Sequence, residues 1–238
     1  CFVNKKLEKT LVFLSDKVNT YVYLPSVIKN NYKNIIKKYL EDIIQKYKIK
    51  GFVISNLSNL KFLEGYKSNF EIIGNSSLNI FNNYSIKECA EYGINKVTLS
   101  RELSKTELED ILKYNLDIDT ELIVYGTLPI MSCNYCFLGK SNMCYPECKR
   151  LCSDDNSYYL KDRLGFKFRI VSDNIQSITS IFNSKILSIS PKTFNVSSVR
   201  IDILDENVTT INKIIETVKS GKSFEGKEYT SGRLEEEK

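Results

Sequence analysis

The sequence predicts an α/β fold in which short parallel strands alternate with helices, followed by a cysteine-rich segment and a small α+β region. Three observations predict it: five β-rich runs before residue 130, amphipathic helical patterns between them, and five of the seven cysteines within residues 133–152. Strand–helix alternation is typical of a parallel sheet with right-handed crossovers. We therefore divide the chain into a strand–helix domain at 1–130, a cysteine-rich metal-binding segment at 131–165, an α+β region at 166–222 and a polar tail at 223–238.

The five β-rich runs are short, contain many branched residues and are bounded by Gly, Asn or Ser. Buried parallel strands commonly have this composition. The runs are residues 20–24, 51–55, 70–74, 96–100 and 121–125. Five strands are too few to close an eight-stranded barrel, so they form either an open sheet or the later part of a barrel.

Helical patterns lie between the runs. Residues 32–47 carry apolar side chains at the spacing of one helix face, which predicts a long amphipathic helix. Ser85 and Glu88 have the spacing of a capping box at the start of a second helix, and Gly93 supplies its end. A third helix is predicted to begin at another capping box, Ser104 with Glu107, where Leu103 and Leu108 have the spacing of a hydrophobic staple.

After the cysteine-rich segment the pattern becomes mixed. Residues 166–171 alternate like a strand, and residues 175–182 have helical spacing. The apolar positions at 211–218 predict a last amphipathic helix that ends at Gly221. The tail at 223–238 is polar and charged, so we expect it to be frayed.

Polar residues follow the predicted strands. In parallel α/β folds ligands meet the carboxyl ends of the strands. The residues at these positions are Asn56, Asn75, Arg101, Glu102 and Gly126. The alternative interpretation, which the sequence leaves open, is that they are polar groups of turns and helix caps.

The cysteine-rich segment predicts a metal site. The spacing is Cys133-x2-Cys136-x7-Cys144-x3-Cys148-x3-Cys152, and neighbouring thiolates of this kind can converge on one soft metal centre. The chain has no histidine, which excludes a Ser-His-Asp triad, a Cys-His dyad and mixed Cys/His zinc sites built from this chain alone. Thiolates must therefore hold any metal bound here.

Four thiolates suffice for either a 4Fe–4S cluster or a structural zinc ion. Structural zinc commonly uses two short cysteine knuckles, whereas these spacings are irregular, which favours the cluster and leaves zinc as the alternative. Among the five candidates we choose Cys136, Cys144, Cys148 and Cys152 as ligands and treat Cys133 as the spare. Cys89 differs from them, because it lies on the apolar face of a predicted helix and is expected to pack in the core.

Composition indicates an ordinary folded protein. The 238 residues carry a formal charge of +5, which is compatible with RNA or another anionic partner without requiring one. No apolar run approaches the roughly 20 residues needed to span a bilayer, and the N-terminus lacks the pattern of a signal peptide. We expect a reducing, cytoplasmic location and no membrane partner. The chain begins with cysteine, so we expect a fragment of a longer protein.

Several segments resemble peptidase family U32, the collagenase-like proteins. The likeness is carried by residues 75–82, 97–103, 121–131 and 158–163, with a weaker fifth segment at 181–184. Together they extend over roughly residues 50–190. The chain is most similar to the C-terminal part of the long clostridial-type members. The resemblance thus implies a partial TIM-like (β/α) barrel whose N-terminal portion comes from elsewhere, either from a preceding segment or from a partner subunit.

The resemblance also implies a cofactor and a chemistry. Members of the family carry a cysteine-ligated 4Fe–4S cluster, at positions that correspond to Cys136, Cys144 and one or both of Cys148 and Cys152. Members with a defined role add hydroxyl groups to transfer RNA, ribosomal RNA or ubiquinone precursors, and some RNA hydroxylases use prephenate. The implied substrate-binding residues are Asn79, Arg101 and Glu102 at the barrel mouth, together with Arg163 in the segment at 158–163.

Two departures from the family pattern stand out. Many relatives have a further cysteine where this chain has Ser177, and an acidic residue where it has Asn75. Three functions remain as hypotheses: O2-independent hydroxylation of RNA or a small aromatic, proteolysis of the collagenase-like type, and a non-catalytic domain with a structural metal. The missing histidine counts against a histidine-assisted protease.

Overall fold

The computed structural model describes residues 5–114, 117–134, 136–140, 152, 157–173 and 176–234. The chain divides into two compact units. The first comprises Cys1–Ile123, Phe194–Val199 and Arg233–Lys238, and the second comprises Val124–Thr193 and Arg200–Gly232. Two strands, Asp119–Gly126 and Ser198–Ile201, contribute residues to both.

The first unit is built on a parallel sheet. Each strand pairs in parallel with the next one along the chain, and Phe52 lies opposite Ile72 in the register of the second and third strands. All five predicted runs are strands, so the prediction of a parallel α/β fold is confirmed. The strands are β1 Tyr21–Tyr23, β2 Gly51–Ile54, β3 Glu71–Gly74, β4 Lys96–Thr98 and β5 Asp119–Gly126.

Four helices accompany these strands: α1 Lys5–Ser15, α2 Lys33–Lys46, α3 Asn83–Glu91 and α4 Lys105–Leu112. The predicted stripe of α2 faces the core, since Ile36, Leu40 and Ile43 are buried. The long predicted helix at 32–47 is therefore confirmed. Short 3-10 helices at Asn30–Tyr32, Leu57–Leu63, Lys67–Asn69 and Ser76–Leu78 complete the connections. No helix in the described part of the chain is both long enough and apolar enough to cross a membrane.

The two predicted capping boxes had different outcomes. The box of Ser104 and Glu107 begins α4 as predicted, and both staple residues, Leu103 and Leu108, are buried. The box at Ser85 is wrong, because α3 begins earlier and its N-cap is Asn82, whose side chain accepts a hydrogen bond from the amide of Ser85. Asn and Ser are both strong N-caps. A cap at Asn82 lets the helix begin at Asn83, which makes it longer than a helix capped by Ser85.

The parallel sheet does not close on itself among the described strands. β1 pairs only with β2 in the described part of the chain, so it is an edge strand. The α/β class with a parallel sheet is thus established, and the sheet is open at β1.

The second unit contains a four-stranded antiparallel sheet with the order β6-β9-β8-β7. Its strands are β6 Pro129–Cys133, β7 Tyr158–Lys161, β8 Lys167–Asp173 and β9 Ile178–Phe182, and a single-turn helix α5, Phe137–Lys140, follows β6. The predicted strand at 166–171 is confirmed as β8. The helix predicted at 175–182 is wrong, because residues 178–182 form β9 and pair with β6 and β8.

Three further strands and two helices follow along the chain, and the strand Ser198–Ile201 and the last 3-10 helix are shared between the two units. β10 Ile186–Ser188 pairs antiparallel with β5 and parallel with β12 Tyr229–Thr230, while β11 Ser198–Ile201 also pairs with β5. The last helix, α6 Val208–Lys219, confirms the prediction at 211–218 and is capped by Asn207. A 3-10 helix, Gly232–Leu234, follows β12.

The described part of the C-terminal tail is ordered by packing, so the expectation that it is frayed is wrong there. Tyr229 pairs with Ile186 in the β12–β10 ladder. The ring of Phe224 stacks on Tyr229 at a centroid distance of 5.4 Å and meets Tyr125 edge-on at 5.7 Å. Aromatic contacts of this kind bury enough apolar area to offset the ordering of a short polar segment.

Candidate metal centre

The antiparallel sheet of the second unit places both ends of the cysteine-rich segment at the same end of the sheet. β6 ends at Cys133, which lies opposite Thr179 near the start of β9. β7 begins at Tyr158 and runs antiparallel to β8, so its start lies at the end of the sheet where β8 finishes. In an antiparallel sheet of order β6-β9-β8-β7, the end of β6 and the start of β7 lie at the same end of the sheet but on its two opposite edge strands, about 14 Å apart across three strand spacings of about 4.8 Å. Residues 134–157 therefore leave and return at the same end of the sheet, which we call the cysteine end.

Two described thiols mark the exit of this segment. Cys133 and Cys136 are partly buried and neither forms a disulfide. The amide of Gly139 in α5 donates a hydrogen bond to Sγ of Cys136, with an N–S distance of 3.4 Å. Amide donors to sulfur stabilise thiolate character and are one of the features that tune thiolate-bound metals. The sulfur of Cys136 thus accepts a hydrogen bond from a backbone amide of α5.

The other proposed ligands are only partly described. Cys152 is partly buried and lies six residues before β7 begins, on the returning side of the segment. Cys144 and Cys148 lie outside the described residues. Within the described ranges no group of three or more Cys, Asp or Glu residues converges as a metal site. The described thiols have the chemistry of soft-metal ligands, and they lie on the two sides of one segment.

Ser177, which the resemblance drawn from the sequence singled out, lies at the same end of the sheet. It follows β8 in the turn that leads into β9, and its φ of 54° is left-handed. The turn is held by Gln176, which is only 1% exposed and whose side chain donates to the Asp173 carboxylate at 3.1 Å. The departure from the family pattern therefore lies at the cysteine end.

Cys89 behaves as a core residue, as the sequence predicted. It is buried in α3 at 5% exposure. Burial is the main cause that raises the pKa of its thiol, and the charge of Glu88 adds to the effect. A raised pKa keeps the thiol protonated, which disfavours metal binding.

The strand ends of the first unit bring some of the other predicted residues together. The amide of Ser100 donates to the carbonyl oxygen of Ile80 at 3.2 Å, which joins the loop after β3 to the loop after β4. Asn79 and Arg101 flank this contact in sequence. Asn79 is exposed with a left-handed φ of 54°, and Arg101 is half-buried. Glu102 is exposed, and its carbonyl oxygen accepts a hydrogen bond from Arg233 at 3.0 Å.

Asn56 and Asn75 have structural partners at these strand ends. Asn56 caps the 3-10 helix Leu57–Leu63 by accepting from the amide of Ser58 at 2.9 Å. Asn75 is 5% exposed, and its side-chain amide donates to Tyr23 at 2.9 Å and to Ser77 at 3.2 Å. The alternative interpretation of turn and cap groups therefore describes Asn56 well, and Asn75 belongs to a buried hydrogen-bond network.

Gly126 and Arg163 lie in the second unit. A Cβ on Gly126 would lie 2.7 Å from the carbonyl oxygen of Asp202, and its φ is +147°, so the close approach of two backbones explains this glycine. Arg163 is exposed in the turn between β7 and β8. That turn lies at the end of the sheet opposite the cysteine end, so the structure does not bring Arg163 to the thiols.

Comparison with known proteins identifies the family. The sequence model of peptidase family U32 matches residues 2–202, so the chain belongs to that family. The chain is also similar to a solved structure titled "The Structure of the U32 Peptidase Mk0906", with a TM-score of 0.42 and 7% sequence identity. That similarity covers 53% of this chain and 54% of the other chain, so only about half of each protein is compared. No curated protein matches the sequence.

Proposed function

We propose that this U32-family chain holds a 4Fe–4S cluster and acts in the O2-independent hydroxylation of RNA. The observation that carries the proposal is the β6-β9-β8-β7 order, which anchors both ends of the cysteine-rich segment at one end of the sheet. Cys136 and Cys152, the two proposed ligands that the structure describes, lie on the outgoing and returning sides of this segment, near the strand ends that it connects. The ligands are Cys136, Cys144, Cys148 and Cys152, with Cys133 as the spare.

Each part of the chain has a role in this proposal. When bound, the cluster supplies one-electron chemistry. The Cys136 thiolate is oriented by the amide of Gly139. The loops after β3 and β4 position the substrate through Asn79, Arg101 and Glu102. Arg163 binds substrate away from the thiols, and an anionic metabolite such as prephenate is the second substrate.

The five parallel strands fit the later part of a (β/α) barrel. An open edge at β1 is where further strands of such a barrel would pair, contributed by another segment or by a partner subunit. We propose this arrangement together with a cytoplasmic location, where thiols stay reduced and available for metal.

Metal content tests the cofactor. The chain is purified without oxygen, and iron, acid-labile sulfide and zinc are measured together with the ultraviolet–visible spectrum. About four irons per chain with broad absorption near 400 nm support the cluster. Colourless protein with about one zinc per chain contradicts it and supports a structural metal site instead.

RNA analysis tests the reaction. Ribosomal and transfer RNA from cells with and without the gene is digested, and nucleosides are compared by mass for the gain of one oxygen atom. A gained oxygen that depends on the gene supports hydroxylation. The same RNA in both cells contradicts it.

The family description also names a peptidase, so proteolysis is the second candidate. Gelatin cleavage is measured with purified chain, with and without a chelator. Cleavage that persists in a Cys144→Ser variant would favour a protease whose chemistry does not use the metal. Absence of cleavage in metal-loaded protein removes this candidate.

A further inference from the structure

The hairpin formed by β7 and β8 carries two lysines directly opposite each other. Lys161 and Lys167 are partners in the antiparallel register, and both are exposed. Like charges at such positions repel each other across a few ångströms. Neither lysine forms an ion pair within the described part of the chain. The pair therefore presents two positive charges that an anion placed between them would stabilise.

An aromatic ring continues the same face of the hairpin. Tyr159 lies opposite Arg169 in the register, two residues from the lysine pair, and is 52% exposed. Side chains two apart on a strand share a face, so the ring and the lysines point to the same side. The guanidinium of Arg169 lies 5.8 Å from the centre of the Tyr159 ring. One side of the ring thus has a cation beside it, and about half of its surface is available for stacking.

Arg169 is held in place by neighbouring acceptors. Its guanidinium forms an ion pair with Asp205 and donates to the carbonyl oxygen of Ile170. Glu206 is also engaged, because its carboxylate accepts from the amides of Leu204 and Asp205 at 2.7 and 3.1 Å. Asp205 is paired with Arg169, whereas Glu206 has only amide partners, and both acids line the adjoining cavity. Among the described residues, the unpaired positive charge on this face of the hairpin is that of the two lysines.

A cavity of about 390 Å³ lies beside this face. Tyr159, Lys167 and Arg169 line it from the sheet. Asn183, Ser184, Asn207 and Thr210 add side-chain amides and hydroxyls. Cavities of roughly 300 Å³ or more hold small ligands, and polar groups of this kind hydrogen-bond to the edges of bases and sugars.

We propose that this face binds single-stranded RNA, with a base stacked on Tyr159 and the phosphodiester chain passing between Lys161 and Lys167. Stacking on an exposed aromatic ring beside a basic track is how single strands are commonly bound. The choice of RNA as the polymer rests on the proposed function. The proposed surface lies on the β7–β8 hairpin, whose turn carries Arg163 at the end of the sheet opposite the cysteine end. The surface would therefore hold another part of the substrate strand, and the reacting nucleotide would lie elsewhere.

Binding is tested with the 238-residue chain and a fluorescein-labelled oligouridylate of about ten nucleotides, by anisotropy at several salt concentrations. Lys161→Gln/Lys167→Gln is compared with Lys219→Gln/Lys227→Gln, which removes the same charge from exposed positions elsewhere. We expect the hairpin variant to bind at least tenfold more weakly and to lower the slope of log K against log salt by about 1.4, since each single-strand phosphate contact contributes about 0.7. Equal affinities of the two variants overturn the proposal.

Substitutions of Tyr159 distinguish the contribution of stacking to RNA affinity from the contribution of charge. Tyr159→Ala should weaken binding about tenfold with an unchanged salt slope, whereas Tyr159→Phe should bind like the original chain. Affinity for uridine monophosphate equal to that for the oligonucleotide would overturn the proposal in favour of a nucleotide pocket. So would binding to anionic phospholipid vesicles without binding to RNA.

Experiments can contradict the proposed function and the proposed RNA-binding surface independently of each other. The hairpin variant is also measured for iron and for its visible spectrum, which should match those of the original chain. Iron-loaded, RNA-hydroxylating protein whose RNA affinity is unaffected by the lysine changes contradicts only the binding surface. Metal-free protein that binds RNA through the lysines contradicts only the cluster.

Discussion

The amide of Gly139 donates a hydrogen bond to Sγ of Cys136, at 3.4 Å, one turn into the helix that follows the sheet. This contact distinguishes Cys136 from Cys89, whose thiol is packed among apolar side chains and has a raised pKa. The two cysteines therefore offer a matched pair for testing which thiols bind metal.

Replacing Cys136 by serine should remove most of the bound metal, because an alcohol at this position is a poor ligand for soft metals. Cys133→Ser should retain it, since Cys133 is the proposed spare. The measurement is iron and zinc per chain after anaerobic purification. Cys89→Ala is the control, and metal content is expected to be unchanged in it. Loss of metal from Cys133→Ser but not from Cys136→Ser would reverse the assignment.

The start of α3 gives a prediction about stability. Asn82→Ala should lower the free energy of unfolding by about 1 kcal/mol, because its side chain caps the helix through the amide of Ser85. Ser85→Ala should change it by less than about 0.5 kcal/mol. Urea unfolding followed by circular dichroism measures both. A larger loss in Ser85→Ala than in Asn82→Ala would show that Ser85 is the N-cap, as the sequence predicted.

Gly126 should be sensitive to any side chain. Gly126→Ala is expected to cost about 3 kcal/mol, since the new Cβ would lie 2.7 Å from Asp202 in addition to the strain of a φ of +147°. Gly65→Ala is the matched control. Gly65 also has positive φ, at +85°, but nothing lies within 4 Å of a Cβ there, so about 1 kcal/mol is expected. Similar losses in the two variants would remove the steric explanation for Gly126.

The raised pKa of Tyr125 predicts that the free energy of unfolding falls at high pH. Burial, the largest cause, and the charge of Glu206 raise the pKa of Tyr125 to about 12. The folded state therefore favours the neutral phenol, and its contribution is complete below the unfolded pKa of about 10. That contribution is lost as pH rises from about 10 to 12. Unfolding free energies measured across this range should fall less steeply in Tyr125→Phe, and an unchanged slope would show that other groups cause the fall.

Local sequence signals were sufficient for the first unit. The runs that became β1 to β5 are continuous and branched, and buried parallel strands need little else to be recognised. The stripe of α2 repeats over four turns, which a strand cannot satisfy. Capping was less secure, because Asn82 and Ser85 are both good N-caps and only the folded helix selects between them.

Local signals misled where strand pairing decides the structure. Ile175, Ile178 and Ile181 are three residues apart, which imitates one face of a helix. Residues 178–182 instead form β9, where Ile181 faces Ile170 across the sheet. The same strand positions Ser177 beside the exit of the cysteine-rich segment. The sequence shows that Lys161 and Lys167 belong to a basic stretch, but its interpretation did not join Tyr159 to them, although their alternation along a hairpin was the signal that could have done so.

The sequence by itself determined the α/β class and the family, and it excluded histidine as a ligand of any metal site, because each rests on residue identity and short-range spacing. Only the tertiary structure decided which groups share an end or a face of the second sheet. It placed the exit and the return of the cysteine-rich segment at the same end of that sheet and Arg163 at the opposite end. The physical reason is that register between distant strands is set by cooperative backbone pairing and burial, which no local stretch of sequence specifies alone.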